Sequence, residues 1–365
     1  MIVEVIFNAD DFGRSSAINR AVLQAHREGV LTSASLMVTS DAVEEAVALA
    51  RATPTLAVGL HLVLSDGRPA SPPREIPHLV DRAGCFPANP ARVWIQYMFS
   101  AAARGEMVRE VRAQFERFAA TGLPLDHVDA HQHIHMHPAV FNVLLPLARQ
   151  YGASGVRLPR DDFGLAMRYD RRDAAVKALW ATVFGILCRR YAGALDGAVA
   201  GSGQSTAVRR LAVADRVFGL MQSGRMEEAY VVRILAQAPR ISLAQRVILS
   251  DSVPTASRHR RLSEESRVTG PGDSSLVVRR GASWLADPLR VTADPFPGQE
   301  SPRFGRDSAD TWAVELYFHP SLASETEPLG PNPRDLATLL SPAVRQAIEA
   351  RGWVRTSYAA LREAR

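Results

Sequence analysis

Short apolar runs recur along this chain, and between most of them lies a longer stretch in which apolar side chains return every three or four positions. That alternation is the signature of βα units, which lay their strands side by side in a largely parallel sheet. Candidate strands are Ile2 to Asn8, Ala34 to Thr39, Ala57 to Leu64, His127 to His133, Gly155 to Leu158, Val314 to Phe318 and Trp353 to Ser357. Helical patterns run from Ser15 to Glu28, Asp41 to Ala52, Met107 to Ala120 and Pro138 to Tyr151. Ser15 or Ser16 suits a helix N-cap, and Gly29 and Gly122 stand where helices should stop. Seven strands with crossover helices predict an α/β fold, a closed or nearly closed (β/α) barrel of TIM-like type. A doubly wound open sheet is the rival arrangement.

From Ser242 to Asp310 the periodicity lapses, and Ser, Arg, Pro, Gly and Asp dominate. A stretch of about seventy residues without clear elements is unusual inside a compact domain. The segment 242–310 therefore reads as a low-complexity, disordered insertion. Residues 1–241 and 311–365 form the barrel domain that it interrupts. Hydrophobic residues make up 47% and charged residues 22%, which excludes a wholly disordered or fibrous chain. The net charge of +5 raises the question of nucleic acid as a partner. Lys177 is the only lysine, however, and aromatics do not alternate with the arginines as a base-stacking surface requires, so nucleic acid is not expected. Two distant cysteines, Cys85 and Cys188, and an N-terminus that reads as a strand fit a reducing, cytoplasmic setting. No run reaches the roughly 18 to 20 apolar residues of a membrane-spanning helix.

Chemistry concentrates in a few places. The first strand ends in Asn8-Ala9-Asp10-Asp11-Phe12-Gly13. Adjacent strand residues point to opposite faces, so both carboxylates serve one site only where the strand has given way to a turn, which Gly13 suits. One acid can then hold a metal while its neighbour takes a proton from water; an Asx turn with a charge at the helix start is the plainer reading. His61 lies in an apolar run, where a histidine is usually a hydrogen-bonded core residue. From His127 to His137 five of the ten histidines fall in eleven residues. Strand alternation predicts Asp129, His131 and His133 on one face, the donor types of a divalent-metal site. Arg157 follows a short strand, and His319 ends another before Pro320. Asp10, Asp11, His61, His131, Arg157 and His319 all fall at or near the C-terminal ends of separate strands. In a (β/α) barrel those ends form the face that carries active sites. An aspartate with two histidines leaves coordination positions open, as a catalytic metal needs, and the implied chemistry is metal-assisted amide hydrolysis. A metal phosphoesterase and a non-catalytic sugar- or lipid-binding barrel are the alternatives.

The segments NADDFGRSSAINRAVLQAHREGVLTSASLMV, VGLHLVL, HVDAHQHIHMHP, VRLPRD and ELYFHP resemble, in order and spacing, the YdjC-like carbohydrate deacetylase family. The likeness is greatest to its hopanoid-biosynthesis-associated (HpnK) branch, and it covers about residues 1–241 and 311–365. The resemblance implies a distorted (β/α) barrel that removes acetyl from an N-acetylated amino sugar. For this branch the implied substrate is an N-acetylglucosaminyl hopanoid glycolipid, with a soluble chitooligosaccharide such as diacetylchitobiose as the alternative. It places metal ligands on Asp11, His61 and His131, the base on Asp10 and leaving-group assistance on His319. His133 and Arg157 line the substrate pocket by position. The implied cofactor is one divalent ion, magnesium by family and zinc by the softness of two imidazoles. A lipid-linked substrate gives a role to the apolar run 174–188, flanked by Arg171-Arg172 and Arg189-Arg190. That run either packs on the barrel or rests peripherally at the inner membrane face. An oligomer is compatible with all of this.

Overall fold

The computed structural model describes residues 2–195, 210–237, 311–322 and 332–363. The chain divides into two compact units, Met1–Gln237 with Glu300–Arg365, and Ala238–Gln299. The second unit, and with it the segment read as an insertion, lies outside the described residues.

Eight strands are described: β1 (Ile2–Phe12), β2 (Ser33–Leu36), β3 (Ala57–Leu62), β4 (His127–Ala130), β5 (Gly155–Val156), β6 (Arg216–Phe218), β7 (Thr311–Phe318) and β8 (Val354–Arg355). They form one parallel sheet in the order β5-β4-β3-β2-β1-β7-β6, and β8 pairs with the first half of β1 at Glu4 and Val5. The helices are α1 (Ser16–Glu28), α2 (Val43–Arg51), α3 (Pro90–Phe99), α4 (Ala101–Ala120), α5 (Pro138–Gln150), α6 (Phe163–Tyr169) and α7 (Ala174–Leu195). They continue with α8 (228–237), α9 (Pro333–Leu340), α10 (Pro342–Glu349) and α11 (Tyr358–Glu363).

The sheet curls into a half-barrel that is not fully closed, consistent with the nearly closed, distorted barrel the sequence predicts. Its two ends, β5 and β6, meet through a single bridge between Gly155 and Ala212 and a bond from Val217 N–H to Arg160 O at 3.2 Å. With two and three residues, these strands are too short to support a ladder. Their brevity also hid β6 from periodicity, since three residues carry no alternation. β1 is buried along nearly its whole length, as a central parallel strand should be.

Local bonds hold the loops that carry the site. Ser15 Oγ caps α1 by accepting from Ile18 N–H at 3.2 Å. Asn19, fully buried one turn on, accepts from Gly13 N–H at 2.8 Å and donates to Ala42 O at 3.0 Å, fixing the turn after the paired aspartates. On α4, Gln114 bonds both backbone groups of Val63, while the Glu110 carboxylate accepts from Ala70 N–H at 2.7 Å and Ser71 N–H at 2.8 Å. Glu110 thus anchors the loop that follows β3. Glu110→Ala would strand two buried donors, and an unfolding free energy lower by about 2 kcal/mol is expected in urea titration; an unchanged midpoint would show that the loop re-pairs without it. No described helix is long and apolar enough to cross a membrane.

Candidate metal centre

Asp10 and Asp11 reach one site through a device within the strand. The register of β1 against β2 shifts between Ala9 and Phe12, and Asp11 adopts φ 63°. This bulge turns both carboxylates toward the C-terminal edge of the sheet, where the sequence had called for a turn after the strand. The histidine cluster departs further from expectation. β4 ends at Ala130, and His131–Met136 form a 3₁₀ stretch in which Gln132 and His133 have φ of 53° and 52°. Alternation therefore does not place His131 and His133; the kink does. Among the described residues, four of the five non-glycine residues with left-handed backbone are Asp11, Asp66, Gln132 and His133. Strain of that kind concentrates where geometry is dictated by function.

The ligating atoms that Asp11, His61 and His131 can offer lie within 4.8 Å of one another, and all three residues are buried. Asp11 Oδ1 is 3.0 Å from His131 Nδ1 and 3.3 Å from His61 Nε2. His61 Nδ1–H donates to Asp129 Oδ1 at 2.8 Å, so Nε2 is the nitrogen turned to the centre. That Nε2 is buried yet satisfies no hydrogen bond, a costly state unless a Lewis acid meets it. The charge balance points the same way. Asp10, Asp11, Asp129 and Glu315 are four buried carboxylates, and Arg157 is the fully buried cation among them. Two imidazoles and a carboxylate around a point of excess negative charge can hold a divalent ion.

In the metal-free state protons take its place. Burial pushes His61 down, but Asp129, Asp11 and Asp10 outweigh it and raise it to about 10. His131 is raised too, by Asp11 against the same desolvation. Burial disfavours the Asp11 charge, yet the two imidazoles hold its carboxyl well below the ordinary range. His61 thus carries a proton at neutral pH that an incoming ion must displace, and His131 holds its proton more tightly than a free imidazole. Zinc titration calorimetry at pH 7 in two buffers of different ionisation enthalpy should report proton release on binding, about one per ion from His61 and more as His131 contributes, with affinity weakening as pH falls. Binding without proton release would mean that the imidazoles are already neutral.

Asp10 stands beside this centre but is held from behind. Arg157 Nη1 and Nη2 donate to its two oxygens, each at 2.8 Å, and Asn8 Nδ2 donates to Oδ1 at 2.9 Å. Arg157, which the sequence placed in the substrate pocket, is fully buried and spends its remaining donors on Asp129 Oδ2 at 2.7 Å and Glu315 Oε1 at 2.8 Å. It backs Asp10 and is closed off from solvent. His319 follows β7, with Nε2 3.9 Å from Asp10 Oδ2 and a partly exposed side chain. His133 is held neutral by burial, and its Nε2 meets the Tyr317 hydroxyl at 2.8 Å. At the rim, Arg14 lies 3.6 Å from Asp11 Oδ2 and 3.3 Å from Asp66 Oδ2.

Sequence reasoning missed the layer beneath. Ser35 Oγ–H donates to Asp129 Oδ2 at 2.9 Å and accepts from Asn8 Nδ2 at 2.8 Å. His127 Nε2 lies 3.0 Å from the same Oγ, and His127 Nδ1 lies 3.0 Å from Asp126 Oδ2. With its one proton given to Asp129, Ser35 can only accept from His127, which must then carry protons on both nitrogens. Asp126 and Asp129 raise His127 accordingly, against its burial. The density of histidines was visible in the sequence; the partners on Ser35 and Asn8 gave no signal of their own.

The chain is similar to several known proteins. A carbohydrate deacetylase of Brevibacillus brevis is 47% identical over 149 residues, which cover 41% of this chain and 57% of that protein. Carbohydrate deacetylases of Geobacillus stearothermophilus and Vibrio cholerae are 44% and 37% identical, over 40% and 45% of this chain and 56% and 60% of theirs. The chain thus spans less than two thirds of the length of these relatives. A crystal structure from Enterococcus faecalis, provisionally described as a cellobiose-phosphate cleavage protein, covers 99% of both chains with TM-score 0.56 at 20% identity and so shares the fold. A model of the family described as YdjC-like protein matches residues 4–350, nearly the whole length, and the chain belongs to that family.

Proposed function

We propose that this protein is a metal-dependent hydrolase that removes the N-acetyl group from an amino sugar. The observation that carries the reading is the division of labour between adjacent aspartates. Asp11 joins His61 and His131 around one point, while Asp10, which also lies within ligand distance of His61 and Asp129, has both of its oxygens held by Arg157. A binding protein has no need of a carboxylate held free next to a metal.

A divalent ion held by Asp11, His61 and His131 supplies Lewis acidity toward water and toward the acetamide carbonyl. Asp10 accepts the proton of the attacking water, and the Arg157 fork fixes both of its oxygens so that one lone pair faces the cleft. An amide nitrogen leaves poorly as an anion and must be protonated as it departs. His319, across from Asp10 and open to the cleft side, is placed to deliver that proton. His133, neutral and tied to Tyr317, presents a buried polar wall to the sugar. Two imidazoles and one carboxylate suit zinc by ligand softness, and magnesium is the ion the family resemblance implies.

The sugar is read as N-acetylglucosamine on a hopanoid lipid, and an apolar path supports a hydrophobic aglycone. The Phe184 ring meets His133 edge-on with centroids 6.0 Å apart and stacks on Trp180 at 5.1 Å. From Trp180 the exposed side chains Val176, Leu179 and Ile186 continue along α7. An apolar face of this kind, with Arg171 and Arg172 just before the helix and Arg189 and Arg190 within its second half, also suits peripheral contact with a membrane. Incubation with N-acetylglucosaminyl hopanoid and with diacetylchitobiose, with detection of free acetate, tests the assignment. Acetate from the lipid supports it in full, acetate from the oligosaccharide alone moves the substrate to the soluble class, and none from either overturns it.

A further inference from the structure

The two imidazoles of the centre are held in opposite senses. His61 gives Nδ1–H to the buried Asp129 Oδ1 at 2.8 Å and turns Nε2 inward. His131 is reversed. Its Nδ1 lies 3.0 Å from Asp11 Oδ1, the same oxygen that His61 Nε2 approaches at 3.3 Å, so Nδ1 is its inward nitrogen. Its Nε2 lies 3.5 Å from Arg14 Nη1, and a divalent ion is repelled by a guanidinium at that place.

A neutral imidazole that gives one nitrogen's lone pair to a metal keeps its single proton on the other. Nε2 of a ligating His131 is therefore a donor. Arg14 has only donors to offer in return, so it cannot receive that hydrogen. A carboxylate stands in reach: Asp66 Oδ2 is 3.6 Å from Nε2. That gap is wider than a hydrogen bond, and a small swing of the partly exposed Asp66 side chain closes it. Asp66 is brought to this place at a cost. It lies in the loop after β3 with φ of 47°, a conformation that glycine adopts freely and a residue with a Cβ does not. Its N–H donates to Pro87 O at 3.1 Å, and Arg14 Nη2 donates to its Oδ2 at 3.3 Å. Were this position needed only for its backbone, glycine would serve it with less strain.

We infer that Asp66 is a positioning residue for the metal centre, receiving Nε2–H of His131 as Asp129 receives Nδ1–H of His61, and so fixing which nitrogen of His131 faces the ion. This rests on the reading of Asp11, His61 and His131 as the ligands and is independent of the substrate.

Asp66→Gly removes the carboxylate and relieves the left-handed backbone, so a loss cannot be attributed to strain. The zinc affinity of the full chain, measured by competition with a chelator, should fall about 10- to 100-fold, the usual effect of removing the carboxylate behind a ligating histidine. Asp66→Asn keeps a carbonyl acceptor on a residue that tolerates this backbone, and it should recover part of the loss. Unchanged affinity in Asp66→Gly overturns the inference. An Asp66→Asn protein no tighter than Asp66→Gly also overturns it, because the effect would then be the carboxylate's charge alone. Nitrogen NMR of isotope-labelled histidine rings in the zinc-loaded, unaltered protein reads the same point directly. Zinc on Nδ1 of His131 with a proton on Nε2 is the expected state, and zinc on Nε2 sinks the proposal. Neither measurement needs substrate. Zinc bound in this way without acetate release would overturn only the hydrolase reading, whereas a protein that binds no zinc through these ligands would overturn both.

Discussion

Asp10→Asn is expected to keep the metal content of the protein while lowering turnover by about 10² to 10⁴, the range for loss of a positioned general base. The asparagine has nearly the same shape, so its carbonyl oxygen can still accept from one prong of Arg157. Its amide must turn a donor toward the other prong or toward the cleft. Arg157 retains Asp129 and Glu315, so its charge stays compensated and the fold should survive. Asp11, His61 and His131 are themselves unaltered, and His61 and His131 still meet at Asp11. What disappears is the lone pair that receives the proton from water. The matching control is His131→Ala, which removes a ligand and should lose the ion along with the activity. Metal content by elemental analysis beside acetate release separates the two effects. Turnover within a fewfold of the unaltered protein in Asp10→Asn would remove Asp10 from the mechanism and leave the centre without an identified base.

The same residues show what a sequence can and cannot disclose. The parallel α/β sheet was legible because β1, β3 and β7 are long apolar runs, and the grouping of Asp10, Asp11, His61, His131 and His319 at strand ends followed from it. The means of grouping did not follow. Strand alternation forbids adjacent aspartates from sharing a face, and the bulge at Asp11 that overrides it leaves no mark in residue type beyond the nearby Gly13. Likewise the 3₁₀ kink after Ala130 replaces the strand that periodicity extended to His133. Arg157 looked like a cleft residue because an arginine beyond a strand end suits the hydroxyl or carbonyl groups of a polar substrate, with a structural ion pair to Asp161 or Asp162 as the equal alternative. Its three carboxylate partners are 147, 28 and 158 positions away in sequence, and only the curl of the sheet brings them together. The hydrogen bond from Tyr358 N–H to Asp126, 232 positions away, is beyond any local signal.

Arg157→Met should be the most destabilising single change in the site, lowering the free energy of unfolding by about 3 to 5 kcal/mol, the usual cost of removing one partner from a buried ion pair. Methionine fills much of the volume, so the loss reports charge more than cavity. Asp10, Asp129 and Glu315 are all buried and would then face one another with no guanidinium between them. The dependence on pH should change sign. In the unaltered protein, burial opposes ionisation of Asp129, but Arg157 and His61 outweigh it and hold its carboxyl well below the ordinary range. A depressed carboxyl contributes stability above its unfolded value of about 3.9 and loses it as pH falls through the folded one. With Arg157 gone, the largest force holding the Asp129 carboxyl down is lost, and desolvation pushes it upward. Protonating it then relieves the strain, so the variant should gain stability between pH 7.5 and 5.5 while the unaltered protein does not gain from this group. Chemical denaturation of both proteins at the two pH values measures this directly. An Arg157→Met protein within 1 kcal/mol of the original at pH 7.5, by the same scale of buried pairs, would mean that water or another cation already shares the three charges, and the dry, fully committed fork behind Asp10 would have to be abandoned.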